Sequence, residues 1–110
     1  MSNNISDLAN VIIETKRFIE NLSSIEDSGS CNLDTVIVDF TGWKQKEVDL
    51  VASECGLQIG EKMNGWHKGY RFIFFKTNYQ ASGRTKLVES AALKLKDLGV
   101  SSASVWYKTD

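Results

Sequence analysis

Asn64-Gly65 interrupts the stretch LQIGEKMNGWHKGYRFIFFKT, residues 57–77, and no other dipeptide in the chain restricts the backbone so tightly. Asn-Gly is the preferred pair for a two-residue hairpin turn, in which both central positions take positive φ. The pair predicts two antiparallel strands and sets their register: Met63 faces Trp66, Glu61 faces Lys68, Ile59 faces Tyr70 and Leu57 faces Phe72. One face then carries Leu57, Ile59, Met63, Trp66, Tyr70, Phe72 and Phe74. The other carries Gln58, Gly60, Lys62, His67, Gly69, Arg71, Ile73 and Phe75. Burying a large ring is worth about 1.5–3 kcal/mol, which assigns the ring-rich first face to the core. A bulge at Gly69 shifts the register by one residue and exchanges the two assignments.

The flanking segments limit what this hairpin joins. Asn4 is placed to cap a first helix with Ile5, Leu8, Ile12, Ile19 and Leu22 at helical spacing, and Val11 and Phe18 widen its stripe. SSIEDSGS, residues 23–30, has no period and reads as a linker. TVIVDF, residues 35–40, is short and β-branched, with Val36, Val38 and Phe40 on one face and Ile37 and Asp39 on the other. Thr41 is a candidate cap for a second helix bearing Val48, Val51, Ala52 and Cys55, stopped by Gly56. A third helix places Leu87, Ala91, Leu95 and Leu98 on one side and stops at Gly99, and SASVWYKT forms a last strand. Either Ala103, Val105 and Tyr107 or Ser104, Trp106 and Lys108 face inward there.

After the first helix the order is β-α-β-β-α-β, that of the ferredoxin-like α/β plait. Two right-handed crossovers put both helices on one face of a four-stranded antiparallel sheet. The expected fold is therefore α+β, a plait with an additional N-terminal helix. It forms one domain: helix 1–24, linker 25–32 and plait 33–110. The first helix needs a surface for its stripe, which the uncovered sheet face, a second copy in a homodimer, or another protein would supply.

The chain has 110 residues, 42% hydrophobic and 25% charged, enough for one core without cross-links. Its two cysteines, Cys31 and Cys55, lack metal-site spacing, and no long apolar run or leader pattern is present. The expectation is a cytoplasmic protein with no membrane partner, cofactor or metal. Net charge is −1, but residues 1–61 hold four Lys or Arg against eleven Asp or Glu, and residues 62–110 hold nine against three. A basic second half of this kind steers a polyanion.

Within that half, KGYRFIFF at residues 68–75 resembles the ribonucleoprotein octamer of the RNA recognition motif, K/R-G-F/Y-G/A-F-V-x-F/Y. Lys68, Gly69, Tyr70, Phe72, Ile73 and Phe75 match in place or by conservative exchange. Arg71 departs from the pattern, and Ile37 stands where the family's second signature has a stacking ring. The resemblance implies that Tyr70 and Phe72 stack on bases and that Lys68 meets phosphate.

The hairpin register selects a second set of contacts, Lys62, His67 and Arg71 with Phe75, on the face away from the core. Arg84 and Lys86, in SGRTK at the third helix's start, add cations where helix amides meet anions. Trp106, with Lys108 near it, is a further candidate for stacking. Asp39 is expected to partner Arg71 or Lys62 across the sheet. No nucleophile–base set, carboxylate pair or phosphate-cradling loop is recognisable. The expected function is non-enzymatic binding of single-stranded RNA or DNA. The competing expectation is a protein-interaction module, an inhibitor or adaptor, that acts through the first helix or an exposed aromatic patch.

Overall fold

The computed structural model describes residues 4–22, 29, 32–76 and 82–108. Helices α1 (Ile5–Glu20), α2 (Gln45–Cys55) and α3 (Ser82–Asp97) accompany strands β1 (Thr35–Asp39), β2 (Gln58–Ile59), β3 (Tyr70–Phe74) and β4 (Ser104–Trp106). The four strands form one antiparallel sheet in the order β2-β3-β1-β4. The linker expected at residues 23–30 lies outside the described residues except for Gly29.

The helices start and stop for local reasons. Asn4 caps α1, its side chain accepting from the Asp7 N–H at 3.0 Å, as expected of an Asn in that position. Lys44, not Thr41, is the residue before α2, and the Glu47 carboxylate accepts its N–H at 2.8 Å. Gly56 ends α2 in the left-handed conformation, φ 69°, as the sequence suggests.

Val36, Val38, Ile73 and Leu95 of one sheet face and α3 join Val48 and Val51 of α2 in a single core. Helix α1 packs on α2 and α3, burying Ala9, Ile12, Thr15 and Ile19. Its stripe thus finds its surface on the helix side of the molecule, leaving the opposite sheet face to other residues. Cys55 is a free, buried thiol in this core, and burial pushes its pKa above the usual 9.0.

Asn64-Gly65 does not make the two-residue turn. Asn64 is extended, with φ −111°, and only Gly65, at φ 77°, has the positive value that the turn requires at both positions. Ten residues instead join β2 to β3, including a 3₁₀ turn at Gly65–His67. The register shifts accordingly: Ile59 pairs with Ile73, and Gln58 with Phe74. Arg71, Ile73 and Phe75 consequently face the helices, and Tyr70, Phe72 and Phe74 take the opposite face. This reverses the assignment made from the hairpin turn for β3, whereas Leu57 and Ile59 face the core as that reading has them.

Gly69 anchors the new arrangement. Its φ is +90°, and a Cβ there would run into the Thr41 hydroxyl. Its carbonyl accepts from the Phe40 N–H at 3.0 Å, and its N–H donates to the Met63 carbonyl at 3.2 Å. One glycine thereby fastens the long connection to the end of β1.

Candidate functional site

The sheet face away from the helices is built from alternate residues of three strands. Ile37 lies opposite Phe72 and Ser104, Asp39 opposite Tyr70, and Thr35 opposite Trp106. Phe72 and Trp106 meet edge-to-face at 6.2 Å, and Phe72 lies 5.8 Å from Phe74. His67, delivered by the β2–β3 connection, packs edge-on against both Trp106, at 5.2 Å, and Tyr70, at 5.6 Å. Side chains at this separation and angle attract through ring quadrupoles as well as area. Ile37, between Phe72 and Ser104 on this face, is only 1% exposed although no described helix covers it.

Half-buried rings supply flat apolar surface, and cations surround them. A cleft of about 520 Å³ is lined by Phe72, Phe74, Trp106, Met63 and Leu33, with Thr35, Asn64, Arg84 and Lys108. A second cleft, about 290 Å³, is lined by Thr41, Gly42, Lys62, Lys68 and Gly69 and shares Met63 and Asn64 with the first. Met63 and Asn64 therefore divide two hollows, and among the described residues each has two cationic side chains on its boundary and neither has a carboxylate.

The sequence-derived residues separate into four groups. Tyr70, Phe72, Trp106 and His67 come together in the ring cluster, and Lys62, Lys68 and Arg84 line the clefts beside it. Lys86 is exposed on α3 and lines neither cleft.

Arg71 and Phe75 leave the site altogether. Arg71 is 1% exposed, its two Nη groups donating to the Gly60 carbonyl (3.1 Å) and the Gln45 side-chain oxygen (3.0 Å), with Nε unpartnered among the described residues. Phe75 is buried in the core. Asp39 partners neither Arg71 nor Lys62: its carboxylate accepts from the Thr41 N–H (2.8 Å) and hydroxyl (2.6 Å), closing the turn after β1.

Sequence reasoning missed Phe74, Met63, Asn64, Leu33 and Thr35 as lining residues. The odd-even alternation of β3 identifies Phe74 once Tyr70 is known to face outward. Met63 and Asn64 carry no such signal, because they reach the cleft through the irregular connection. Away from the clefts, against α3, exposed Tyr107 donates to Glu89 at 2.5 Å, and that bond pushes its phenol pKa upward.

Among the described residues no group of His, Cys, Asp and Glu is arranged to hold a metal, and no helix is long and apolar enough to cross a membrane. No family model matches the chain, and no curated protein or solved structure matches it.

Proposed function

We propose that this chain binds a single-stranded nucleic acid on the sheet face opposite its helices, as a binding module rather than a catalyst. We also read the fold as a ferredoxin-like α/β plait with α1 added to its helical side. The antiparallel order β2-β3-β1-β4 and the two crossovers support that reading.

One observation carries the function. Tyr70 and Phe72, at the octamer's third and fifth positions, lie on the face away from the helices beside Trp106, with exposed Lys68 at the neighbouring cleft. Rings of this kind stack on any base, and cations along the same surface follow the phosphates. Lys62 and Lys68 on one side and Arg84 and Lys108 on the other give a strand two points of charge contact across the rings.

A second reading draws on the helical side. Phe18 and Leu93 are exposed there, with Lys94 over the Phe18 ring at 5.1 Å. A protein partner docking on this patch would make the chain an inhibitor or adaptor.

Fluorescence anisotropy with a labelled mixed-sequence single strand separates the two. Affinity should fall steeply with salt, and Lys68→Ala should lower the slope of log K against log salt by about 0.7, the loss of one phosphate contact. Phe72→Ala and Trp106→Ala should each cost about 1–3 kcal/mol of binding, the usual value of one stacked base. Absence of binding at about 50 mM salt rejects the nucleic-acid reading, because the electrostatic term is then near its strongest.

A further inference from the structure

The larger cleft has two chemically different ends, and one buried carboxylate holds the charged end together. Asp34 is 5% exposed; one oxygen accepts from the Lys108 backbone N–H at 2.8 Å and the other from the Thr85 hydroxyl at 2.7 Å. Its carbonyl accepts Arg84 Nε at 2.9 Å. Arg84 is thus aimed by its Nε bond, with its two Nη groups as the remaining donors of a planar fork suited to phosphate. Arg84 also stands in the first turn of α3, where the helix N-terminus favours negative charge. Lys108, on the opposite rim, is brought to the same end by the same carboxylate.

The other end is made of rings. Phe74 is 38% exposed, and Phe72 and Trp106 stand beside it. Asn64, with a donor and an acceptor on one amide, is a polar lining group suited to a base edge. The volume, about 520 Å³, is that of a small-ligand site rather than of a long groove.

From this arrangement we infer that the cleft is a subsite for a single nucleotide, with its base against Phe74 and Trp106 and its phosphate on Arg84 and Lys108. The inference rests on the nucleic-acid reading above and adds to it a defined position for one phosphorylated unit. Charge complementarity selects the occupant: among the described residues two cations and no carboxylate line the cleft, the Asp34 carboxylate behind them being buried and engaged on both oxygens, so an uncharged aromatic ligand leaves its basic end unused.

The test is titration of the isotopically labelled full chain with the four nucleoside 5′-monophosphates and, separately, the corresponding nucleosides. The Trp106 indole N–H signal, assigned by Trp106→Phe, reports occupancy. Monophosphates should shift this signal with at least about tenfold higher affinity than nucleosides, the difference expected of a charge-assisted phosphate contact. Arg84→Gln should remove most of the monophosphate preference over nucleosides, Lys108 keeping the remainder. Lys108→Gln, at an exposed side chain, should repeat the loss more weakly.

Equal affinity for nucleoside and monophosphate overturns the inference, and so does a decanoate titration that displaces the monophosphates at lower concentration than they themselves require. Strand binding that survives Arg84→Gln unchanged removes the subsite and leaves the nucleic-acid reading standing. Monophosphate binding by a chain that ignores single strands upholds the cleft and removes the strand reading.

Discussion

The two faces of β3 are one residue apart in sequence and belong to different environments. Ile73 and Phe75 join Val36, Val38 and the helices in a dry core, whereas Tyr70, Phe72 and Phe74 lie on the other side among rings and cleft walls. Both sides are hydrophobic, so apolar content alone does not tell them apart. What covers them does: Ile73 and Phe75 pack beneath the helices, whereas Tyr70, Phe72 and Phe74 lie on a face that no described helix covers, where rings meet one another. Arg71 is the exception on the dry side, a guanidinium held by a carbonyl and an amide oxygen.

The contrast is tested most strongly by paired truncations. Ile73→Ala should lose about 2–5 kcal/mol of stability in urea unfolding, the range for a fully buried aliphatic. Phe72→Ala should lose less than Ile73→Ala in the same experiment, and equal losses would erase the distinction between the faces. Arg71→Met should leave stability within about 1 kcal/mol of the parent or raise it, because an apolar side chain of similar length removes the cost of burying charge. It should leave strand affinity unchanged, whereas a weakened complex would return Arg71 to the interface.

The smallest effect is alkaline. The folded Cys55 thiol titrates above its unfolded value because it is buried, so its contribution to stability is complete below the unfolded pKa and disappears as pH rises through the folded one. The stability difference between the parent and Cys55→Ala should shrink as pH rises past the usual thiol value of 9.0 under reducing conditions. A difference that stays constant would show that the thiol does not feel the core.

Much of the architecture was readable from spacing. The three helices, the stops at Gly56 and Gly99 and the element order follow from periodicity and glycine placement, since these depend on neighbours along the chain. The register of β3 did not follow, because the Asn64-Gly65 signal is local and the determining contacts are not. Gly69 meets Thr41, and His67 meets Trp106, across the sheet. The octamer pattern assigned Tyr70 and Phe72 to the outer face, as the structure has them; the turn rule assigned them inward. Arg71 looked like a surface cation because the Gln45 and Gly60 oxygens that hold it lie on other elements. Arg84 was noticed for its place at a helix start, but the Asp34 carbonyl that aims it is 50 residues away.

That distance gives the Asp34 clamp a meaning for folding. Its carboxylate joins positions 51 and 74 residues apart in the chain, so its bonds are among the most non-local in the molecule. Strands β1 and β3 can pair before β4 arrives, but the charged end of the cleft closes only when Lys108 reaches Asp34. Ligand recognition is therefore tied to the docking of the final strand, which delivers Trp106 and Lys108 together, and a chain without it presents Phe72, Phe74 and Arg84 but only half of each end of the cleft.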